Sequence, residues 1–259
     1  LEWSLGAVRA GEEVLTVGAR GSTHALATAL LSAQVGARAT VVRWNQEMNP
    51  AARVVDARLR ASAHVIDARF VAAAYLLAVA VRVRRRVTWV PAGGASAVAV
   101  LGHMNAALEL AGQIDENLAE LPEEVYVPLG TGGTAAGLAL GFRLAGLGIR
   151  IVAVRVVPGI VARRSRVTGL ANRAAALIER VSGDRVPRLS PADITVEHAF
   201  YGGAYGRPLP EIPQEHEILH GTRLRLDDTY SRKAFAAALA SRAQRAMFWV
   251  TFDGRLLQD

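Results

Sequence analysis

Val125-Tyr126-Val127-Pro128-Leu129-Gly130-Thr131-Gly132-Gly133-Thr134-Ala135-Ala136-Gly137-Leu138 decides how this chain is read. A short apolar strand runs into a glycine loop, and the loop opens a helix rich in alanine, leucine and glycine. Glycines let the backbone turn tightly and approach a ligand closely. The first N–H groups of the helix have no internal partner, and the helix dipole adds partial positive charge there. The stretch therefore predicts an anion cradle that holds a phosphate without any lysine.

Outward from this stretch, helical and extended periodicities alternate. Helices are expected at 1–10, 23–35, 50–61, 71–84, 98–118, from the glycine loop to 147, at 168–181 and at 231–245. Strands are expected at 14–17, 39–42, 64–66, 87–90, 125–129, 149–157 and 247–251. The Pro/Gly-rich region 190–223 reads as mostly loop. Asn49-Pro50 marks a helix start, since proline suits the first turn. Repeated strand–helix units with apolar strands predict an α/β fold of parallel sheets covered by helices. A boundary is placed at residue 88, giving a small α/β domain over 1–88 and a large one over 89–259.

The chain has 259 residues, 51% of them hydrophobic, enough for a sizeable core. It has no cysteine, which excludes a disulfide framework and favours a reducing compartment. No stretch reaches the roughly 18 apolar residues of a membrane span. A cytoplasmic protein without a membrane partner is the expectation. The net charge is +7 and Lys233 is the only lysine. Arginines such as Arg53, Arg58 and Arg60 recur at helical spacing between alanines and read as solvated faces. No nucleic-acid motif accompanies them, so no nucleic-acid partner is expected. The cluster Arg82-Val83-Arg84-Arg85-Arg86 closes a predicted helix, where cations favour the dipole. The six histidines are dispersed, and no metal site is expected. Glu12-Glu13 and Glu123-Glu124 precede strands and read as solvated loop ends.

Several segments together resemble the fold type II pyridoxal-phosphate enzymes, and within them the group of D-cysteine desulfhydrase and 1-aminocyclopropane-1-carboxylate deaminase. Pro91-Ala92-Gly93-Gly94-Ala95-Ser96 and the helix Leu101 to Glu109 are similar to that family's Pro-x-Gly-Gly-Ser turn and following helix. Gly130 to Leu138 resembles its phosphate loop. Gly202-Gly203-Ala204-Tyr205-Gly206 resembles its Gly-x-Gly-Tyr-Gly loop. Leu226-Asp227-Asp228-Thr229-Tyr230-Ser231-Arg232-Lys233-Ala234 resembles its Leu-Asp-Pro-Val-Tyr-x-Gly-Lys segment. The resemblance spans nearly the whole chain and implies a two-domain fold related to the tryptophan synthase β-subunit. It also bears on Leu1-Glu2, which match the end of the family's Gly-Asn-Lys-x-Arg-Lys-Leu-Glu. The Schiff-base lysine is therefore expected just ahead of Leu1, with the first part of the large domain. Lys233 matches a different family lysine.

The resemblance also assigns roles. Gly130, Thr131, Gly132, Gly133 and Thr134 would bind the cofactor's 5′-phosphate. Gly21-Ser22-Thr23-His24 matches the family's Gln-Ser-Asn-His/Gln stretch at a second helix start. Ser22 would face the substrate carboxylate and reacting carbon, and Thr23, in place of asparagine, would touch the ring hydroxyl. Both are also natural helix caps. His24 reads as a packing residue rather than a general base. Tyr205 and Tyr230 would flank the substrate, and either phenol could shuttle a proton if nearby cations lowered its pKa. Ser231 matches the residue at the pyridine nitrogen, where the deaminase branch has glutamate and the desulfhydrase branch threonine. Thr251 matches the threonine of a Thr-Gly-Gly turn, from which Phe252-Asp253-Gly254 departs.

The expected function is β-elimination from a small amino acid such as D-cysteine, giving a keto acid, ammonia and sulfide, by a homodimer. Ring-opening deamination of 1-aminocyclopropane-1-carboxylate is the alternative. Two other classes stay open. An inactive relative that only binds the cofactor fits Thr23, Phe252 and the lysine missing from the chain. A nicotinamide-dependent oxidoreductase fits the glycine loop taken alone. Against it, the loop lies mid-chain, and Val156-Val157-Pro158-Gly159 follows the next strand where a ribose-binding acid would stand.

Overall fold

The computed structural model describes residues 2–210, 212–222 and 224–251. The chain divides into two compact units, Leu1–Ala95 and Ser96–Asp259. In the first, the order is α1 (Glu2–Leu5), β1 (Glu13–Ala19), α2 (Thr23–Gln34), β2 (Arg38–Trp44), α3 (Pro50–Ser62), β3 (His64–Ala68), α4 (Val71–Arg84) and β4 (Val87–Val90). All four strands are parallel, in the order β3-β2-β1-β4. The division falls after Ala95 rather than at the expected residue 88. The reason is β4, whose Thr88 and Trp89 pair with Val14 and Leu15 of β1 and so complete the first sheet.

Strand β1 is buried along nearly its whole length, as a strand covered on both faces must be. Leu15, Val17 and Val42 pack with Ala68, Ala74 and Ala78. Ser22 caps α2 by accepting from the Ala25 amide, and Asn49 caps α3 by accepting from Ala52. The basic end of α4 is used locally: Arg85 pairs with Glu13 at 3.2 Å, and Arg82 lies over the Trp89 ring. A charged knot, not foreseen, ties the sheet edge together. Arg43 of β2 is fully buried and binds Asp56 of α3 and Asp67 of β3. Burial costs this guanidinium, but the two carboxylates outweigh it and raise its pKa. Arg43 in turn holds the Asp67 carboxyl below its ordinary range.

The second unit holds α5 (Ala97–Asp115), β5 (Glu124–Leu129), α6 (Gly133–Leu144), β6 (Arg150–Arg155), α7 (Arg164–Ser182), β7 (Ile194–Glu197), α8 (Pro213–Leu219), α9 (Ser231–Leu239) and β8 (Ala246–Phe248). Its sheet is again four parallel strands, in the order β7-β6-β5-β8. Tyr126, Val152 and Val154 pack with Ala234 and Ala237 of α9. Strand β7 and helix α8 lie inside the region read as loop. Helix α1 stops before Gly6, well short of residue 10, and α9 stops at Leu239, short of 245. The chain beyond α9 is drawn off by Ser241, whose hydroxyl donates to the Glu124 carboxylate at 2.7 Å.

Glu124 itself corrects the reading of a solvated loop end. It is 8% exposed. Burial would raise its carboxyl pKa, yet donors from Tyr126 and Ser241 and the charge of Arg150 hold it low. Helices α5 and α6 cross in close contact. A Cβ added at Gly137 would lie 2.4 Å from His103 Cβ and 2.7 Å from the Val100 carbonyl oxygen. One at Gly141 would lie 2.6 Å from Ala107 Cβ. No helix among the described residues is long and apolar enough to cross a membrane.

Candidate active site

In a parallel sheet, ligands gather where the carboxyl ends of the strands meet the following helices. In the second unit that end carries the Gly130–Gly133 loop, between Leu129 of β5 and α6. Gly132 precedes α6 in the left-handed region, at φ 94°, which a side chain would strain. A Cβ there would press on Val167 at 3.2 Å, whereas Gly130 and Gly133 have nothing within 4 Å of theirs. Helix α6 starts with no side-chain cap and no acidic residue in its first turn. Open space therefore lies over a row of helix amides, which suits a phosphate on the donor set alone.

The loop is braced from two sides. Arg166 Nε donates to the Thr131 carbonyl at 3.1 Å. The Thr134 hydroxyl meets His103 Nε2 at 3.3 Å. Burial lowers the His103 pKa, so the ring is neutral near pH 7 and adds no charge to the cradle.

The amino end of α9 carries the other candidate residues of this unit. Asp227 is buried, and its carboxylate accepts from the amides of Thr229, Tyr230 and Ser231 at 2.8–3.0 Å. This one side chain fixes the turn that presents Tyr230 and Ser231. Ser231 is fully buried in the first turn of α9. The Tyr230 hydroxyl is hydrogen-bonded to that of Tyr205, and the two rings meet edge to face at 5.9 Å.

The condition for proton shuttling by these phenols, a pKa lowered by nearby cations, is not met here. Burial pushes Tyr205 up to about 12, against the Tyr230 hydrogen bond and with help from the Asp227 charge. Burial, Tyr205 and Asp227 push Tyr230 well above its ordinary value. Among the described residues no cation offsets these effects, so both phenols stay protonated near neutrality and can donate rather than act as bases.

Lys233 and Arg155 were not among the expected site residues. Lys233 is fully buried on α9, and its Nζ donates to the carbonyls of Tyr201 and Ala204 at 2.7 and 3.3 Å. Arg155, at the carboxyl end of β6, lies over the Tyr201 ring at 4.0 Å. A lone lysine among so many arginines was the available signal for the first. Nothing in the pattern marks the second.

Ser22, Thr23 and His24 belong to the first unit. Ser22 is buried as the cap of α2, at the carboxyl end of β1. Gly21 precedes it with φ +73°, and a Cβ there would lie 2.6 Å from Ala52. Thr23 opens α2 and is half-buried. His24 Nε2 meets the buried Thr16 hydroxyl at 3.1 Å. Burial pushes its pKa down to about 4, with a hydrogen bond to the Pro91 backbone pulling the other way. Its surroundings are those of a neutral packing residue. Thr251 follows β8 and is exposed. Phe252, Asp253 and Gly254 lie outside the described residues, as does Leu1.

Tyr205, Tyr230 and Ser231 thus come together in one unit, at a sheet that also carries the Gly130–Thr134 loop. The chain as a whole is similar to known proteins. Nocardicin C-9′ epimerase of Nocardia uniformis subsp. tsuyamanensis is 36% identical over 252 residues, covering 91% of this chain and 73% of that protein. A putative 1-aminocyclopropane-1-carboxylate deaminase of Pyrococcus horikoshii is 30% identical, covering 91% and 71%. The D-cysteine desulfhydrase of Yersinia enterocolitica is 28% identical, covering 92% and 73%. A crystal structure described as an ACC deaminase homologue superposes with a TM-score of 0.74 at 25% identity, covering 94% of this chain and 74% of that one. The family described as pyridoxal-phosphate dependent enzyme matches residues 1–247. With its two parallel four-stranded sheets, the chain belongs to the pyridoxal-phosphate dependent enzymes of fold type II.

Proposed function

We propose that the protein eliminates a good β-leaving group from a small amino acid such as D-cysteine, giving a keto acid, ammonia and sulfide. The observation that carries this reading is the neutral, fully buried hydroxyl of Ser231, presented by the Asp227-capped turn beside two protonated tyrosines. Bound pyridoxal phosphate supplies an electron sink for the bond that breaks at the substrate's α-carbon. The amides and hydroxyls of Gly130–Thr134 would hold its phosphate, Ser231 would meet its ring nitrogen, and Thr251 would complete the ring's surroundings.

A serine hydroxyl at the ring nitrogen lends no full charge, as a carboxylate partner would. The chemistry then suits expulsion of a thiolate better than the harder opening of a cyclopropane, which is the alternative within this reading. Tyr205 and Tyr230 keep their protons near pH 7 and donate to the departing group. We also place the protein in the cytoplasm as a homodimer, a state that sedimentation would test.

The test is the full-length protein with pyridoxal phosphate, followed by visible absorbance and sulfide release on addition of D-cysteine. A visible band that shifts with substrate, with sulfide produced, supports the reading. Bound cofactor without any spectral response or product refutes it in favour of an inactive relative. The 36% identity to an epimerase favours a second reading, inversion at an amino-acid α-carbon, which removes the same proton. Deuterium uptake at that carbon without loss of ammonia would decide for it.

A further inference from the structure

The Gly202–Gly206 segment has little conformational preference of its own. Gly202, Gly203 and Gly206 all take positive φ, at 71°, 84° and 76°, and glycine loses the most freedom on ordering. Yet this segment must deliver Tyr205 to Tyr230. Something else has to hold it.

Lys233 is the group in reach. Its ammonium is fully buried, and burying a charge costs several kcal/mol unless partners offset it. Its hydrogen-bonded partners are on the loop: the Tyr201 carbonyl at 2.7 Å and the Ala204 carbonyl at 3.3 Å, with the Tyr201 ring 5.4 Å away. Arg155 lies over the same ring at 4.0 Å. A compact ammonium can serve two carbonyls on a tight turn, where a planar guanidinium fork is less suited. That is a physical reason for the chain's one lysine to stand here.

We propose that Lys233 is a positioning residue, which pins the Tyr201–Ala204 turn to α9 and so sets Tyr205 against Tyr230. The groups that face its amine are Asp227 and Asp228 on its own segment, Arg155 on β6 and Tyr201 on the loop. Burial and Arg155 push the amine down to about 8, against the two aspartates. Even the neutral amine keeps donors for both carbonyls, so the pin survives at mildly alkaline pH.

The role in turnover rests on the proposed elimination, but the pin itself does not, and the test separates them. In Lys233→Met, hydrogen exchange of the 202–206 amides should rise about tenfold or more while β5 and β6 stay protected. In an ultraviolet pH titration, one tyrosine should come down to ionise near its ordinary value of about 10, and Tyr205→Phe in the same background should remove it. Lys233→Arg should restore part of both signals. Unchanged exchange and titration in Lys233→Met overturn the proposal. If that variant does not fold, Lys233→Gln takes its place, and wild-type values there overturn it equally. With D-cysteine, the pin predicts a lower kcat at unchanged cofactor affinity. Absence of turnover in the wild type would count against the elimination alone, since exchange and titration still decide the pin.

Discussion

Replacing Gly137 by alanine should destabilise the second unit and weaken cofactor binding together. In an ordinary exposed helix the same change stabilises by about 1 kcal/mol. Here the new Cβ would sit 2.4 Å from His103 Cβ, 2.7 Å from the Val100 oxygen and 2.9 Å from the Met104 nitrogen, where ordinary contact begins at 3.4 Å. Two of these three neighbours are backbone atoms, so α6 must move away from α5 by about 1 Å, a gap that forfeits a quarter to a half of each dispersion contact. Overpacking of this kind costs about 1–3 kcal/mol. After the helix-propensity gain, a net loss of up to about 2 kcal/mol remains. The same movement pulls Thr134 from His103 and displaces the Gly130–Thr134 cradle. Urea denaturation and equilibrium dialysis of pyridoxal phosphate read the two effects. Gly112→Ala in α5 is the control, since nothing lies within 4 Å of its added Cβ, and it should stabilise. A Gly137→Ala variant that is as stable as the parent, or more so, and binds cofactor normally would refute the close crossing as the element that positions the cradle.

Gly132→Ala strains a left-handed position by about 1–2 kcal/mol and should weaken pyridoxal phosphate binding. Unaltered affinity in dialysis would place the phosphate elsewhere. Glu124 is held ionised by Tyr126, Ser241 and Arg150, so its stabilisation is present above the ordinary carboxyl range and fades as pH falls through its lowered pKa. Glu124→Gln should therefore cost about 1–2 kcal/mol at pH 7 and little in strong acid, and a loss that persists undiminished at low pH contradicts that assignment. Arg43→Met leaves the Asp56 carboxylate buried without its main partner and should cost about 3–5 kcal/mol in denaturant titration. A cost under 1 kcal/mol would mean that the knot is not an obligatory charge pair.

The parts of the fold that were legible are those with long, regular periods. The helix 71–84 and the strand 87–90 were read to the residue, because an apolar helical run and a β-branched strand are separated by an arginine cluster. Strand β7 was missed because Ile194–Glu197 is short and lies among prolines. Helix α9 was read too long because only the fold brings Ser241 to Glu124. Val87–Val90 reads equally well as the first strand of a new unit, and only the fold shows its pairing to β1. At the site, the glycine loop is local and could be read. Phenol pKa values, the Asp227 cap and the Arg155 contact depend on segments far apart in sequence, and no spacing rule reaches them.

The burial of Lys233 has a practical consequence. Within these 259 residues it is the only ε-amine, and in the folded state it is sealed from solvent. An acylating reagent can modify a side-chain amine of this stretch only when α9 or the glycine loop opens. The rate of such labelling is a single-site clock for that opening, readable by mass from one peptide, without any mutation.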